Sequence, residues 1–399
     1  MFRGQKIRTV TRLGAILGVL MGALVALSPR PALAQDREVL IGIVTSLSGF
    51  VAPLGLDQRD AALLAISQIN EQHLIPGVRL RPIVQDDKGD PTAAVVAIQR
   101  VLQQGVVAVI GPTTTGGTAA VAPILEAKKI PMIGLGLLAG DIAKTPLPYV
   151  FGINYTTDDE ARANFNLAKK LYSPKSIAIL HDTNLYGVSV RDGLLAIAKA
   201  EGVAVVAAEG YKSTDTDMSP QLTTIRTAKP DVLIQLGGGT APALIVRQKY
   251  ELGMTSIPLV TGPTAFSNGD EKFLAISGVK AAEGLRAAVI SEEIWDTLPP
   301  SDPRQPLLQK FLKIFIQTYG RDATGYGPGQ GYDSVMILAD AIRRAGSAEP
   351  SKIRDAIEQT DYQGVLCRHR YTKTSRSACN ASDFAPAVMT NGKLIYKAP

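Results

Sequence analysis

Cysteine and histidine are scarce in this chain: Cys367 and Cys379 are its two cysteines, and His73, His181 and His369 its three histidines, among 399 residues. Two cysteines with His369 and no fourth ligand nearby do not match a zinc spacing. Histidine catalysis is equally poorly supplied. Only His181 ends a candidate strand, beside Asp182 and near Ser189, and no nucleophile elbow accompanies it. A phosphate loop is missing, because no stretch has the G-x-x-x-x-G-K-[ST] spacing and the hydroxyl-rich loop from Thr113 to Thr118 lacks the lysine. Gly237-Gly238-Gly239-Thr240 lacks the span of a dinucleotide site, although backbone there could approach a ligand closely. Asp86-Asp87 ahead of Pro91 reads as a turn and helix cap before it reads as a divalent-cation pair. Beyond residue 34, no apolar run is long enough to span a membrane.

A net charge is also lacking once the N-terminus is set aside. Arg3, Lys6, Arg8 and Arg12 form a basic segment, Leu13 to Leu27 is apolar, and Ala32-Leu33-Ala34 is a small-residue cleavage site. Residues 1–34 are therefore expected to be a signal peptide cut near Ala34/Gln35, which sends the protein to the periplasm. Without them, and without Arg30 among them, Lys plus Arg falls from 42 to 37 against 36 Asp plus Glu, so the formal balance drops from +6 to +1. Nothing in that balance calls for nucleic acid or an anionic membrane as partner. No cysteine follows the cleavage site, so no lipid anchor is expected there. In an oxidising compartment Cys367 and Cys379 are expected to pair, stabilising by roughly 3 kcal/mol in the chain-entropy model, with free thiols the alternative.

The length suits two domains. Val39 to Val44 reads as a buried strand, Leu56 to Asn70 as a helix, Arg79 to Val84 as a strand and Thr92 to Leu102 as a helix. A β-branched run, Val106 to Ile110, then meets Gly111-Pro112 and the loop Thr113-Thr114-Thr115-Gly116-Gly117-Thr118, and helical spacing resumes through Leu125. Ile130 to Gly134 closes this first half. The pattern restarts near Tyr149 to Ile153, with helices at Asp158 to Leu171, Tyr186 to Ala200 and Ala241 to Leu252 and strands at Ser176 to Leu180, Val203 to Ala208, Asp231 to Leu236 and Ile257 to Thr261. Such alternation predicts parallel sheets covered on both faces, with ligands at the carboxyl ends of the strands. From Gly262 the texture loosens, with a possible strand at Gly284 to Val289, a proline-rich loop and three further helices.

The Thr113–Thr118 loop would present hydroxyls and backbone N–H groups at a helix N-terminus, which suits a carboxylate or another oxygen-rich ligand. Tyr186-Gly187, at the entry of a helix after a strand, would let an aromatic ring and its hydroxyl close over that ligand.

In this order and at these intervals the fragments resemble a known family. Val39 to Gly49 with Gly55, Asp86-Asp87 with Pro91, Ile110-Gly111-Pro112, Pro123, Pro131, Tyr186-Gly187, Pro230-Asp231, Gly253, Gly331-Tyr332-Asp333-Ser334 and Ala339 to Ile342 with Ala345-Gly346 look like the periplasmic solute-binding proteins of the branched-chain amino acid class. The resemblance implies an α/β fold of type I, with two doubly wound parallel-sheet lobes joined by three crossing segments near Phe151 to Asn154, Val260 to Pro263 and Asp383 to Ala387. Lobe one would hold residues 36–152 and 263–384, and lobe two residues 153–262 and 385–399. The ligand would lie between them, trapped by hinge closure.

The resemblance also implies a ligand set: Ser46; Thr113, Thr114, Thr115 and Thr118; Gly136 and Leu138; Tyr155 and Asp158; Tyr186; Gly239 and Thr240; and Thr264. Where relatives carry a small residue and a Ser or Thr, this chain has Leu135-Gly136-Leu137-Leu138. The acid that often meets a ligand ammonium falls near Thr240-Ala241. Either Asp158, Asp159 or another acid supplies that charge, or the ligand carries no ammonium. The cysteine loop departs from the family's plain hairpin and is expected to be a stapled surface hairpin. The implied function is delivery of a small amino acid or related carboxylate to an ABC permease in the inner membrane, without cofactor or metal. A sensory binding protein reporting to a receptor is the alternative, and a secreted α/β enzyme is disfavoured because no nucleophile, base and orienter set is present.

Overall fold

The computed structural model describes Met1, residues 36–323 and residues 325–399. Met1 aside, the expected signal peptide and its cleavage site lie outside the described residues. The first strand, β1 (Arg37–Thr45), buries Val39, Ile41, Ile43 and Val44. Alternating strands and helices follow: α1 (Ala52–Glu71), β2 (Val78–Asp86), α2 (Pro91–Gln103), β3 (Ala108–Ile110), α3 (Thr115–Lys128), β4 (Met132–Gly134), α4 (Asp141–Lys144) and β5 (Val150–Gly152). In α2, Ala94, Ala97, Ile98 and Val101 recur at helical spacing and are all buried, against Val109 of β3 and Val121 and Leu125 of α3. Asp90 starts that helix by accepting Ala93 N–H at 2.8 Å, with Pro91 in its first turn. The cap is thus Asp90, which leaves Asp86 and Asp87 for other work.

A second series runs α5 (Thr157–Tyr172), β6 (Ser176–Asp182), α6 (Leu185–Ala200), β7 (Ala204–Tyr211), α7 (Ser219–Ala228), β8 (Val232–Leu236), α8 (Ala241–Glu251), β9 (Leu259–Thr261), α9 (Asp270–Ser277), α10 (Val279–Ala282) and β10 (Arg286–Ile290). Thr156 and Asp159 close a capping box at the start of α5. The chain ends with α11 (Gln305–Tyr319), α12 (Gly327–Ala345), α13 (Pro350–Glu358), a hairpin of β11 (Asp361–Gln363) and β12 (Arg368–Arg370), and the pair β13 (Phe384–Thr390) and β14 (Lys393–Tyr396).

The strands form a five-stranded sheet in the order β2-β1-β3-β4-β5 and a seven-stranded sheet in the order β7-β6-β8-β9-β10-β13-β14. In the first, β1, β3, β4 and β5 pair in parallel; in the second, β7 through β10 do so, while β13 and β14 run antiparallel at the edge. The two parallel runs share one order. Each reverses direction beside its first strand, between β1 and β3 and between β6 and β8, and a crevice opens there at the carboxyl ends.

One expected boundary moves. Leaving the second lobe at residue 263 would strip β10 from its sheet, yet Arg286 is paired with Val260 of β9 and Ile290 with Phe384 of β13. Strand β10 is the fifth member of the second parallel run, and the short helices before it obscured the repeat. The chain therefore passes between the sheets after β5, between Ile290 and α12, and between Ser377, bridged to Gly152, and β13. Helix α12 packs along α1 in the first lobe.

The Cys367–Cys379 disulfide is present, with Cα atoms 5.9 Å apart. Both residues are buried, so the staple is internal, while Arg368, Arg370 and Thr372 to Ser375 of the loop it closes are exposed. Ala378 N–H and Cys379 N–H donate to Asn154 O at 3.0 and 3.3 Å, tying the last passage between sheets to the first. His369 Nε2 sits 2.8 Å from Asp333 Oδ2, and Asp333 also accepts Val365 N–H and Leu366 N–H. With both sulfurs in the disulfide, this cysteine and histidine cluster has no thiolate for a metal.

Candidate functional site

Loops from the carboxyl ends of both sheets enclose a cavity of about 310 Å³. The first lobe contributes Phe50, Val51 and Leu54 after β1, Gly89 and Pro91 after β2, Thr113 to Gly116 after β3, and Leu135 to Leu137 after β4. From the second come Asn184, Leu185 and Tyr186 after β6, Ser213 after β7, Gly238 after β8 and Thr264 after β9. Asn154, on the first passage between sheets, and Tyr326 and Gln330, at the start of α12, complete the wall.

Two buried aspartates hold these loops in place. Asp87 Oδ1 accepts Ser46 Oγ–H at 2.5 Å and Gly89 N–H at 2.8 Å, and its Oδ2 accepts Thr113 N–H at 2.9 Å. One carboxylate thus joins three loops. Its neighbour Asp86 accepts Leu47 N–H at 2.9 Å, Ser48 Oγ–H at 2.7 Å and Lys88 N–H at 2.8 Å nearer the surface. In the second lobe Asp182 accepts Ser213 Oγ–H and Asn184 N–H. Burial pushes the carboxyls of Asp87 and Asp182 up, opposed by these donors.

A chain of neutral hydrogen bonds runs from the first loop to the first passage between the sheets. Ser46 N–H donates to Thr113 Oγ1 (2.9 Å), Thr113 Oγ1–H to Gln58 Oε1 (2.7 Å), and Gln58 Nε2 to Gln330 Oε1 (2.5 Å). Gln330 Nε2 then donates to Asn154 Oδ1 (2.8 Å) and Asn154 Nδ2 to Leu135 O (2.6 Å). Every link is buried. The amides spend their capacity on each other and so fix the floor of the cavity. Gly136 is needed beside it: a Cβ there would lie 2.3 Å from the Thr114 carbonyl carbon, so only glycine lets the β3 and β4 loops touch.

The electrostatics of the wall come from backbone, not from charged side chains. No Asp, Glu, Lys, Arg or His is among the described residues lining the cavity. Two helices start there, α3 with Thr114 as cap (Gly117 N–H to Oγ1, 3.1 Å) and α6 with Asn184 as cap (Gly187 N–H to Oδ1, 2.9 Å). Both present the positive end of a helix dipole from opposite lobes. Most of the remaining wall is apolar or hydroxylic.

Behind Tyr186 lies a buried acid. Tyr186 O–H donates to Glu160 Oε1 at 2.6 Å. Burial pushes the Glu160 carboxyl up to about 7 despite the nearby hydroxyls of Tyr186 and Tyr155. Glu160 Oε2, both amide atoms of Asn164 and the Tyr155 hydroxyl are buried without a hydrogen-bond partner.

Of the sequence-derived ligand set, Thr113, Thr114, Thr115, Gly136, Tyr186 and Thr264 come together on the wall. The other positions lie elsewhere. Ser46 braces Asp87 and Thr113 one layer back. Thr118 is buried and donates to Pro112 O at 3.3 Å, and Leu138 packs among Val109, Met132 and Val150 in the lobe-one core. Tyr155 is buried against Phe384, ring centroids 4.5 Å apart. Asp158 is exposed on α5, facing Gly193 of α6 and not the cavity. Gly239 N–H donates to Ser267 Oγ at 3.1 Å, and Thr240 begins α8 without using its side chain as a cap. His181 Nδ1 lies 2.8 Å from Asp182 O and its Nε2 3.4 Å from Arg191, and burial pushes its pKa down.

Sequence reasoning missed Phe50, Asn154, Ser213, Tyr326 and Gln330. Only Gln330 had a signal, through the adjacent Gly331-Tyr332-Asp333-Ser334 fragment.

Comparison with known proteins agrees with this architecture. A family model described as periplasmic binding protein matches residues 38–392. A leucine-, isoleucine-, valine-, threonine- and alanine-binding protein of Pseudomonas aeruginosa is 26% identical over 327 residues, 82% of this chain and 83% of that protein. A Leu/Ile/Val-binding protein of Rhizobium johnstonii is 27% identical over 315 residues, 79% of this chain and 82% of its own. Among solved structures, an extracellular ligand-binding receptor of Rhodopseudomonas palustris superposes with a TM-score of 0.81 at 24% identity, covering 91% of this chain and 100% of that one. The branched-chain amino acid transporter substrate-binding protein of Streptococcus pneumoniae in complex with isoleucine gives 0.77 at 22% identity, with the same coverage. At these identities the structural neighbours speak for the fold.

Proposed function

The chain belongs to the periplasmic binding protein family, and from that premise we propose that it is the solute-binding component of an ABC importer whose ligand is a small, partly apolar carboxylate without an ammonium group. The observation carrying this reading is the wall itself: two helix N-termini and a set of threonine hydroxyls, with no charged side chain among the described lining residues. A carboxylate finds donors from both lobes there. An ammonium finds hydroxyls and carbonyls but no counter-charge, and desolvating it unpaired costs several kcal/mol.

On this reading the signal peptide is removed near Ala34/Gln35 and the mature protein works in the periplasm. The ligand enters between the lobes, hinge closure at the three passages traps it, and the loaded protein docks on an inner-membrane permease. It acts by binding, not by catalysis. None of the described helices is long and apolar enough to cross a membrane.

The relatives' names favour a second reading, in which the solute is a branched-chain amino acid. That reading needs an acid close enough to face the ammonium; Glu160 behind Tyr186, Asp87 behind Thr113 and Asp182 behind Ser213 each lie one hydrogen bond from the wall.

A thermal-shift screen of the mature protein, stripped of ligand by unfolding and refolding, separates the two. A ligand that binds only the folded state raises the midpoint. Shifts with 2-oxo acids or aromatic acids and none with leucine, isoleucine or valine are expected. The reverse pattern hands the site to amino acids, and no shift with any acid removes the solute-delivery reading.

A further inference from the structure

We propose that Glu160 is a positioning residue whose proton decides whether Tyr186 offers the ligand a hydrogen-bond donor or an acceptor, so that the cleft's affinity for a carboxylate depends on pH. The inference rests on the reading of the cavity as a carboxylate site.

The geometry is specific. Tyr186 lines the cavity, while the acid that its hydroxyl touches does not. Tyr186 therefore separates the carboxyl from the cavity. Glu160 is fully buried under the end of β9, where a Cβ on Gly262 would come within 2.3 Å of Oε1. The groups facing it are Asn164 on its own helix, Tyr155 on the passage before that helix, Tyr186 on α6, Tyr326 at the start of α12 and, as a like charge, Glu293 after β10, while Thr264 beyond β9 faces the hydroxyls of Tyr186 and Tyr326. No cation is among the described groups acting on Glu160.

Two protonation states follow. With Glu160 ionised, Tyr186 O–H donates to Oε1, and the phenol has only lone pairs left for the cavity. With Glu160 protonated, the carboxyl O–H donates to the phenol oxygen, and the phenol hydrogen is free to turn toward a ligand oxygen. The proton taken up by Glu160 thereby appears at the wall as a donor. Burial, opposed by the hydroxyls of Tyr186 and Tyr155, puts the change near neutrality, at about 7.

The test has a spectroscopic arm and a binding arm, run on the mature protein and on Glu160→Gln and Tyr186→Phe, with circular dichroism as the check on folding. In ligand-free protein, tyrosine difference absorbance between pH 5 and 9 should show a transition near 7, as the phenol gains a carboxylate acceptor; both variants should lose it. A transition unchanged in either variant overturns the proposal. In the binding arm, the 2-oxo acids of leucine and valine are titrated across the same range. Wild-type affinity should fall above pH 7, approaching about tenfold per pH unit if only the protonated form binds, while Glu160→Gln stays flat. Binding with equal pH profiles overturns the role of Glu160 and leaves the carboxylate reading intact. Binding by no acid at any pH overturns the carboxylate reading and the pH-dependent affinity built on it.

Discussion

Replacing Asp87 by alanine should do more damage than any other single change in the cleft loops. The residue is fully buried and is the common acceptor for Ser46 Oγ–H, Gly89 N–H and Thr113 N–H, which belong to three loops. Hydrogen bonds to a charged group contribute about 1.5–3 kcal/mol each. Their sum is offset by the cost of burying the carboxylate, visible in its raised pKa. A net loss of about 3–4 kcal/mol follows, since three donors lose their acceptor and two of them, Ser46 Oγ–H and Thr113 N–H, belong to buried residues. Asp87→Asn should recover little, because the amide nitrogen would face Thr113 N–H or Gly89 N–H donor to donor. Asp86→Ala is the control: it removes bonds of similar length, but nearer the surface, where water replaces them, so about 1 kcal/mol is expected. Urea unfolding gives all three values from the shift in midpoint at constant slope. Ligand affinity should fall with Asp87→Ala, because the loop carrying Thr113 to Thr115 loses its anchor. Asp87→Ala no more destabilised than Asp86→Ala, with binding intact, would refute the view that one carboxylate organises the lobe-one face.

Other consequences can be checked alongside. The native Glu160 carboxyl titrates near 7 against an ordinary value of 4.5, so the folded state holds more protons between those limits and stability falls as pH rises through them. Glu160→Gln should accordingly gain on the wild type by up to about 3 kcal/mol at pH 8 and far less at pH 4.5; an equal gap in denaturant melts at both pH values would contradict a buried acid whose pKa burial raises. Reducing the Cys367–Cys379 bond, which closes a sequence separation of 12, should lower stability by roughly 3 kcal/mol. An unchanged melting midpoint under reductant would argue against the staple between the first and last passages. Thr264→Asp sets a carboxylate on the wall. It should repel acids and bring in amino acids, and a calorimetric profile identical to the wild type would show that the wall's neutrality does not set ligand charge.

Much of the fold could be read from short-range pattern. Ala94, Ala97, Ile98 and Val101 announce a helix by spacing, and the β-branched runs at Val39 to Val44 and Val106 to Ile110 announce central strands. Strand β10 was harder to place because sheet membership depends on partners, here Val260 and Phe384, that no local pattern names. The site divides in the same way. Thr113 to Thr115 and Tyr186 follow strands directly, so the rule about carboxyl ends finds them. The relay of Gln58, Gln330 and Asn154 joins positions 272 and 176 residues apart, and no local pattern names one as the partner of another. Leu138 and Asp158 failed for a different reason. Each is close in sequence to the wall, but the local turn of the chain points Leu138 at the core under β5 and Asp158 at α6.

The most direct measurement is a calorimetric titration of the ligand-stripped protein with leucine and with the 2-oxo acid of leucine, at one pH. The two differ at the group the cavity has no charge to meet. The account predicts tighter binding of the oxo acid, by about 100-fold for an ammonium penalty of roughly 3 kcal/mol. Leucine binding as tightly as the oxo acid, or tighter, would contradict it.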